Sequence, residues 1–169
     1  MKLTELLVAE LDREVERSRR VLQEVPAGKY DWKPHEKSMM FGPLVNMVAT
    51  IPTWVAMGVT KSELDVAPVS GSSMQQQKLE TSEALVSALD KSAAEARTAI
   101  GGTTDEFLMT PWKLLAGGKV VQETPRYVMM QDTINHWVHH RGQAAVYLRL
   151  LGAKVPSIYG PSADDRQFR

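Results

Sequence analysis

Leu3, Leu7, Leu11, Val15, Ser18, Leu22 and Val25 recur at spacings of three and four, with charged residues between them. That period matches the 3.6-residue turn and lays an almost wholly apolar stripe along a helix over residues 2–25. Such a stripe must be covered, so the chain has to supply further elements that pack on it. Pro26-Ala27-Gly28 ends the run, and residues 26–40, with Trp32, Pro34 and His35, read as a loop.

The covering elements are expected in the same form. A second helix starts near Phe41–Pro43 and runs to Thr60, and Pro52 inside it predicts a kink or break. Residues 61–76 are polar, carry Pro68, Ser70, Gly71, Ser72 and Ser73, and read as a connector. Leu79, Leu85, Leu89, Ala93 and Ala96 mark a third helix over 77–100, stopped by Gly101-Gly102. Residues 105–122 change character. Trp112-Lys113-Leu114-Leu115 and Val120-Val121 flank Gly117-Gly118, which predicts a β-hairpin. Thr124-Pro125 reads as a cap followed by a first-turn proline, opening a fourth helix that ends near Leu151-Gly152. The tail, 153–169, is expected to be irregular. The fold expected is all-α: one four-helix-bundle domain over 1–169, with long crossover connections and a small hairpin before the last helix.

Composition removes several kinds of chemistry. There is no cysteine, hence no disulfide, no thiolate metal ligand and no cysteine nucleophile. Twenty basic and twenty acidic residues cancel, so the charge footprint of a nucleic-acid binder is missing. No apolar run approaches the roughly 18 residues of a membrane span, and the N-terminus lacks a signal-peptide core. The expectation is a cytoplasmic protein with neither nucleic-acid nor membrane partners. No serine sits in a nucleophile elbow, and neither a phosphate loop nor an HExxH motif occurs.

The chemistry that remains gathers in one segment. His136, His139 and His140 are three of the four histidines in the chain. On a helix, His136 and His140 project from one face a turn apart, as two imidazoles must to share a divalent metal. The alternative is that they are surface or hydrogen-bonded core residues. Asp132, four residues earlier, either orients His136 or is a solvated helix residue. Arg141 either neutralises a substrate carboxylate or pairs with an acidic side chain. Gly142 in mid-helix suggests close approach of another helix, within the chain or across a dimer. Trp32, Trp54 and Trp137 read as core or interface anchors, and Tyr159 as a residue able to fold over a pocket mouth.

Several segments match a known family in order. They are NHWVHHRGQAAVYLRLLG ending at Gly152, DWKPHEKSM at Asp31–Met39, LVNMVATIPTW at Leu44–Trp54, LLAGGKVV at Leu114–Val121, and YGPSADD at Tyr159–Asp165. Together these resemble the DinB-like proteins, part of a superfamily that includes bacillithiol transferases and mycothiol-dependent maleylpyruvate isomerase. The resemblance implies a four-helix bundle, commonly dimeric, holding one metal on three histidines. His136 and His140 match the two from the last helix. The third belongs in a pattern like L-A-x-H-x-A on the second helix, and here Met47 stands in its place. A thioether is a poor ligand for Zn²⁺ or Ni²⁺, and a methionine also simply fills a core. His35 and Asn46 are the other candidates to complete the set.

Two functions follow. One is a thiol-dependent S-transferase or hydrolase that acts on a small electrophilic molecule, using a divalent metal (Ni or Zn) on His136 and His140. Any catalysis would run through a metal-bound water or the thiolate of an external low-molecular-weight thiol. The other is a non-catalytic homodimeric module that binds a small molecule and has an incomplete metal site.

Overall fold

A computed structural model describes residues 2–68 and 78–167. Among these residues the chain is mostly helical, with six helices and one small three-stranded sheet. Helix α1, Leu3–Gln23, buries Leu7, Leu11, Val15, Val21 and Leu22, the stripe read from the sequence. It packs on α4 and α6. The second helix is broken where proline removes a backbone N–H. It becomes α2, Phe41–Thr50, and α3, Pro52–Thr60, bent 46° to one another. Both lie against α4, Ser82–Gly101, and α6, Arg126–Leu150. No single helix among the described residues is long and apolar enough to cross a membrane.

Helix α4 begins five residues later than the periodicity suggests, and residue 77 lies outside the described residues. The reason is Asn46. Its side-chain oxygen accepts from the Leu79 N–H at 3.0 Å, and its nitrogen donates to the Leu79 carbonyl, also at 3.0 Å. Leu79 is therefore buried in extended chain with its backbone already bonded. Thr81 then caps α4, accepting from the Ala84 N–H at 3.2 Å.

The hairpin forms as expected, from β2, Pro111–Ala116, and β3, Lys119–Pro125. Gly117 and Gly118 turn it at φ 61° and 76°, a left-handed pair that side chains resist. Three features differ from the reading above. A one-turn helix α5, Asp105–Leu108, precedes the hairpin, capped by Thr104. A strand β1, Glu63–Asp65, adds parallel to β2, with Leu64 opposite Leu114, inside the expected connector. The rest of that connector, 69–76, lies outside the described residues. Finally, Thr124 is not a helix cap. It pairs with Trp112 in the hairpin, and Pro125 ends β3 and is itself the residue before α6.

The core centres on Trp137, fully buried on α6, whose indole N–H donates to the Val48 carbonyl of α2 at 2.7 Å. The sheet covers the side of α6 that leads to the histidines. Within the chain, no other helix approaches Gly142. A Cβ added at Gly142 meets nothing within 4 Å, whereas one added at Gly58 lies 2.7 Å from Met130 Cγ. The glycine that lets α3 and α6 meet is Gly58.

Candidate functional site

Helix α6 brings His136 and His140 together, as their spacing requires. Their Nε2 atoms lie 2.6 Å apart and their ring centroids 4.4 Å. His140 is buried and His136 is exposed, with its ring 5.6 Å from that of Trp54 on α3. Gln143, one turn on, bridges two of the rings. Its carbonyl oxygen lies 2.9 Å from His140 Nδ1, and its amide nitrogen 3.0 Å from His139 Nε2. With the amide so oriented, His140 Nδ1–H donates to Gln143, and the amide donates to His139. His140 Nε2 is then left to accept from His136 Nε2–H. Burial, followed by the charges of His140 and His139, holds the His136 imidazole below its usual range.

None of the other candidates is hydrogen-bonded to this pair. His35 is exposed in its loop, and its Nδ1 accepts from the Lys37 N–H at 3.1 Å. Asn46 is buried and spent on Leu79 and on the Gly42 carbonyl, to which it donates at 2.9 Å. Met47 is partly buried and packs against the core. The hydrogen bond of the His136 ring goes to His140, and no bond to Asp132 forms. Among the described residues, no group of three or more histidine, aspartate or glutamate side chains is arranged to hold a metal.

These donors do not make a closed three-imidazole site. Two imidazole nitrogens on one tetrahedral metal, with bonds of about 2.0–2.1 Å, sit roughly 3.3 Å apart. The two Nε2 atoms, 2.6 Å apart, are closer than that, so the rings would have to turn apart to share an ion. Among the described residues no third histidine, aspartate or glutamate is placed to complete the set.

Beside His136 lies a cavity of about 490 Å³. Helices α3 and α6 form one side, and the sheet with the chain after β1 forms the other. Trp54, Trp112, Met57 and Met129 supply apolar wall, and Asp132, Thr133 and His136 supply polar groups. Trp112 was not distinguished in the sequence from the hairpin around it. Its environment depends on which strand face turns inward, and no local pattern encodes that.

Arg141, next to His140, points the opposite way, into the protein. It is 1% exposed and forms an ion pair with Glu14 of α1 at 2.5 Å. It also donates to Ser18 Oγ and to the Glu14 carbonyl, each at 3.2 Å. Tyr159 donates to Glu14 at 2.9 Å and receives a hydrogen bond from Arg141, tying the C-terminal tail to α1 and α6. Arg141 thus pairs with an acidic side chain, and the Tyr159 hydroxyl is committed to that cluster. Burial pushes the Glu14 carboxyl up. The Arg141 charge and hydrogen bonds from Arg141, Tyr159 and Arg17 outweigh this and hold it below its ordinary value.

The sequence pattern of the DinB family matches residues 1–167. The chain belongs to the DinB family. Solved structures agree on the fold. A DinB-like protein from Bacillus cereus ATCC 10987 superposes with a TM-score of 0.72 at 18% identity, covering 92% of this chain and 97% of that one. A DinB-like protein, YjoA, from Bacillus subtilis gives 0.67 at 19% identity, covering 95% and 99%. Among curated proteins, the uncharacterized YrdA of Bacillus subtilis strain 168 is 41% identical over 44 residues, a match spanning 26% of each chain.

Proposed function

We propose that this DinB-family protein binds a small molecule in the cavity beside His136. The single observation that carries this reading is the cavity itself, about 490 Å³, walled largely by aromatic, aliphatic and thioether side chains, with a few polar groups on both its α6 and its sheet side. His136, hydrogen-bonded through its Nε2 to His140, offers its remaining ring nitrogen as an acceptor. In this reading α1, the broken α2–α3 pair, α4 and α6 act as a four-helix bundle, and the protein works in the cytoplasm as a homodimer. An exposed stripe of Gly142, Val146 and Leu150 on α6 offers a surface for the second copy. A fragment screen on isotopically labelled protein tests the binding reading. Bound fragments should shift the His136 imidazole and the Trp54 and Trp112 indole signals together. Fragments that bind without moving these three groups, or a screen with no binders, contradict it.

The second reading is a metal-dependent S-transferase or hydrolase acting on a small electrophile. It is favoured by the two imidazoles that meet at the cavity wall. With Met47 in place of a third imidazole, Zn²⁺ or Ni²⁺ would bind weakly, on the order of a thousandfold below a complete set. Electrophiles offered with bacillithiol, mycothiol or glutathione, with and without metal, test it. Turnover that needs both metal and thiol and is lost in His136→Ala and His140→Ala supports this reading. Turnover that survives both changes excludes it.

A further inference from the structure

Four side chains of α6 form one hydrogen-bonded line that ends at the cavity. His136 Nε2 lies 2.6 Å from His140 Nε2, His140 Nδ1 lies 2.9 Å from Gln143 Oε1, and Gln143 Nε2 lies 3.0 Å from His139 Nε2. Each link needs one hydrogen and only one. A neutral imidazole donates from one nitrogen and accepts at the other, so each ring passes on the direction it receives. With the histidines neutral, the line has two complete arrangements, one the reverse of the other. An amide differs from an imidazole: its oxygen only accepts and its nitrogen only donates. Gln143 turns its oxygen to His140 and its nitrogen to His139, and so selects one of the two. It stands on the exposed surface of α6 and is not part of the cavity lining.

The consequence falls on one atom of a residue that does line the cavity. His136 makes a single hydrogen bond among the described residues, through Nε2, and its ring stands 5.6 Å from that of Trp54. With the hydrogen on Nε2, Nδ1 is a bare acceptor. In the reverse arrangement Nδ1 carries the hydrogen and can only donate. Two other polar groups of the lining are already engaged. The Thr133 hydroxyl donates to the Met129 carbonyl at 2.9 Å, and Asp65 accepts from the backbone N–H groups of Ala67, Gly117 and Gly118. No lysine or arginine lines the cavity among the described residues to hold an anion.

We propose that Gln143 is a positioning residue acting through His140: it sets His136 with Nε2 protonated and Nδ1 bare, and the cavity therefore takes a largely apolar, uncharged molecule that donates a hydrogen bond, an alcohol or a phenol. An ether of the same shape brings only lone pairs to Nδ1 and leaves its own oxygen unpaired. A carboxylate meets a second acceptor and no cation. The ligand class rests on the reading that the cavity binds a small molecule; the proton arrangement does not.

Two measurements on the full chain test it. Imidazole nitrogen NMR spectra of isotopically labelled protein, recorded above the titration range of histidine, read which ring nitrogen carries the hydrogen. His136 should carry it on Nε2 in the natural protein and in Gln143→Glu, whose carboxylate also only accepts. In Gln143→Leu, at the same exposed position, both tautomers of His136 should appear. A His136 protonated on Nδ1 in the natural protein, or a His136 spectrum that Gln143→Leu leaves as it was, overturns the role of Gln143. Calorimetry with 4-butylphenol, its methyl ether and 4-butylbenzoate reads the ligand class. The phenol should bind about fivefold tighter than the ether, the worth of one hydrogen bond, and the benzoate weakest. That preference should persist in Gln143→Glu and shrink in Gln143→Leu. Equal affinity for phenol and ether, or tightest binding of the benzoate, overturns the ligand class while the binding reading stands. Failure of all three probes to bind overturns the binding reading and the ligand class together.

Discussion

Two polar clusters sit side by side on α6 and could hardly be more different. Around Arg141 every group is spoken for: guanidinium, carboxylate, hydroxyls and a carbonyl interlock in the interior, and the cluster joins α1, α6 and the tail. Around His136 the bonding is unfinished. The imidazole pair shares one hydrogen bond, and Asp132 has no partner among the described residues. Adjacent residues, His140 and Arg141, face the two environments. A cluster that satisfies itself stabilises a fold. One that leaves donors and acceptors beside a cavity has capacity to bind something else.

The sharpest way to break this contrast is to damage the closed cluster. Arg141→Ala leaves the Glu14 carboxylate buried beside a hole and should cost about 3–5 kcal/mol in urea unfolding. Replacing both partners, with Arg141→Met and Glu14→Leu, should recover most of that loss. Recovery would mean the pair fixes geometry more than it adds stability; no recovery would mean Tyr159, Arg17 and Ser18 depend on it. The same cluster sets a pH dependence. The Glu14 carboxyl is held below its ordinary value of 4.5, so its contribution is fully present above that pH. It is lost as pH falls through the lowered folded value. The stability gap between the natural protein and Glu14→Gln should therefore narrow on acidification below pH 4.5, and a gap that widens there would contradict the assignment.

Glycines provide a milder comparison. Gly58→Ala forces a Cβ against Met130 and should cost about 1–3 kcal/mol. Gly142→Ala enters open space on an exposed helix face and should gain up to about 1 kcal/mol. A loss at Gly142, with a fall in mass by light scattering, would mean a second copy covers that stripe. The smallest effect belongs to the open cluster. Asp132→Asn should change stability by less than about 0.5 kcal/mol, and a larger change would mean that Asp132 serves the fold.

The sequence made the helices legible because their signals are local. The leucine stripe, Pro52 and the glycine pair each act over a few residues, and each has its expected consequence. What it hid is long-range. Strand β1 is three residues, Glu63–Asp65, and exists because β2 lies beside it, fifty residues on. Leu79 looked helical by period, yet Asn46, thirty-three residues away, holds its backbone extended. The histidine pair was legible from its spacing. The cavity was not, because Trp54, Trp112 and Asp132 come from three elements that only the fold brings together. Asp105 is a further case: it caps α1 by accepting from the Leu3 and Thr4 N–H groups across a hundred residues.

The open cluster offers a metal two imidazoles and, among the described residues, no third histidine or carboxylate beside them. Titrating Zn²⁺ into the protein without an affinity tag, beside Met47→His and His136→Ala, tests it most directly. The account predicts weak binding to the natural protein, weaker still in His136→Ala, and tight one-to-one binding in Met47→His. Tight stoichiometric binding by the natural protein would contradict it.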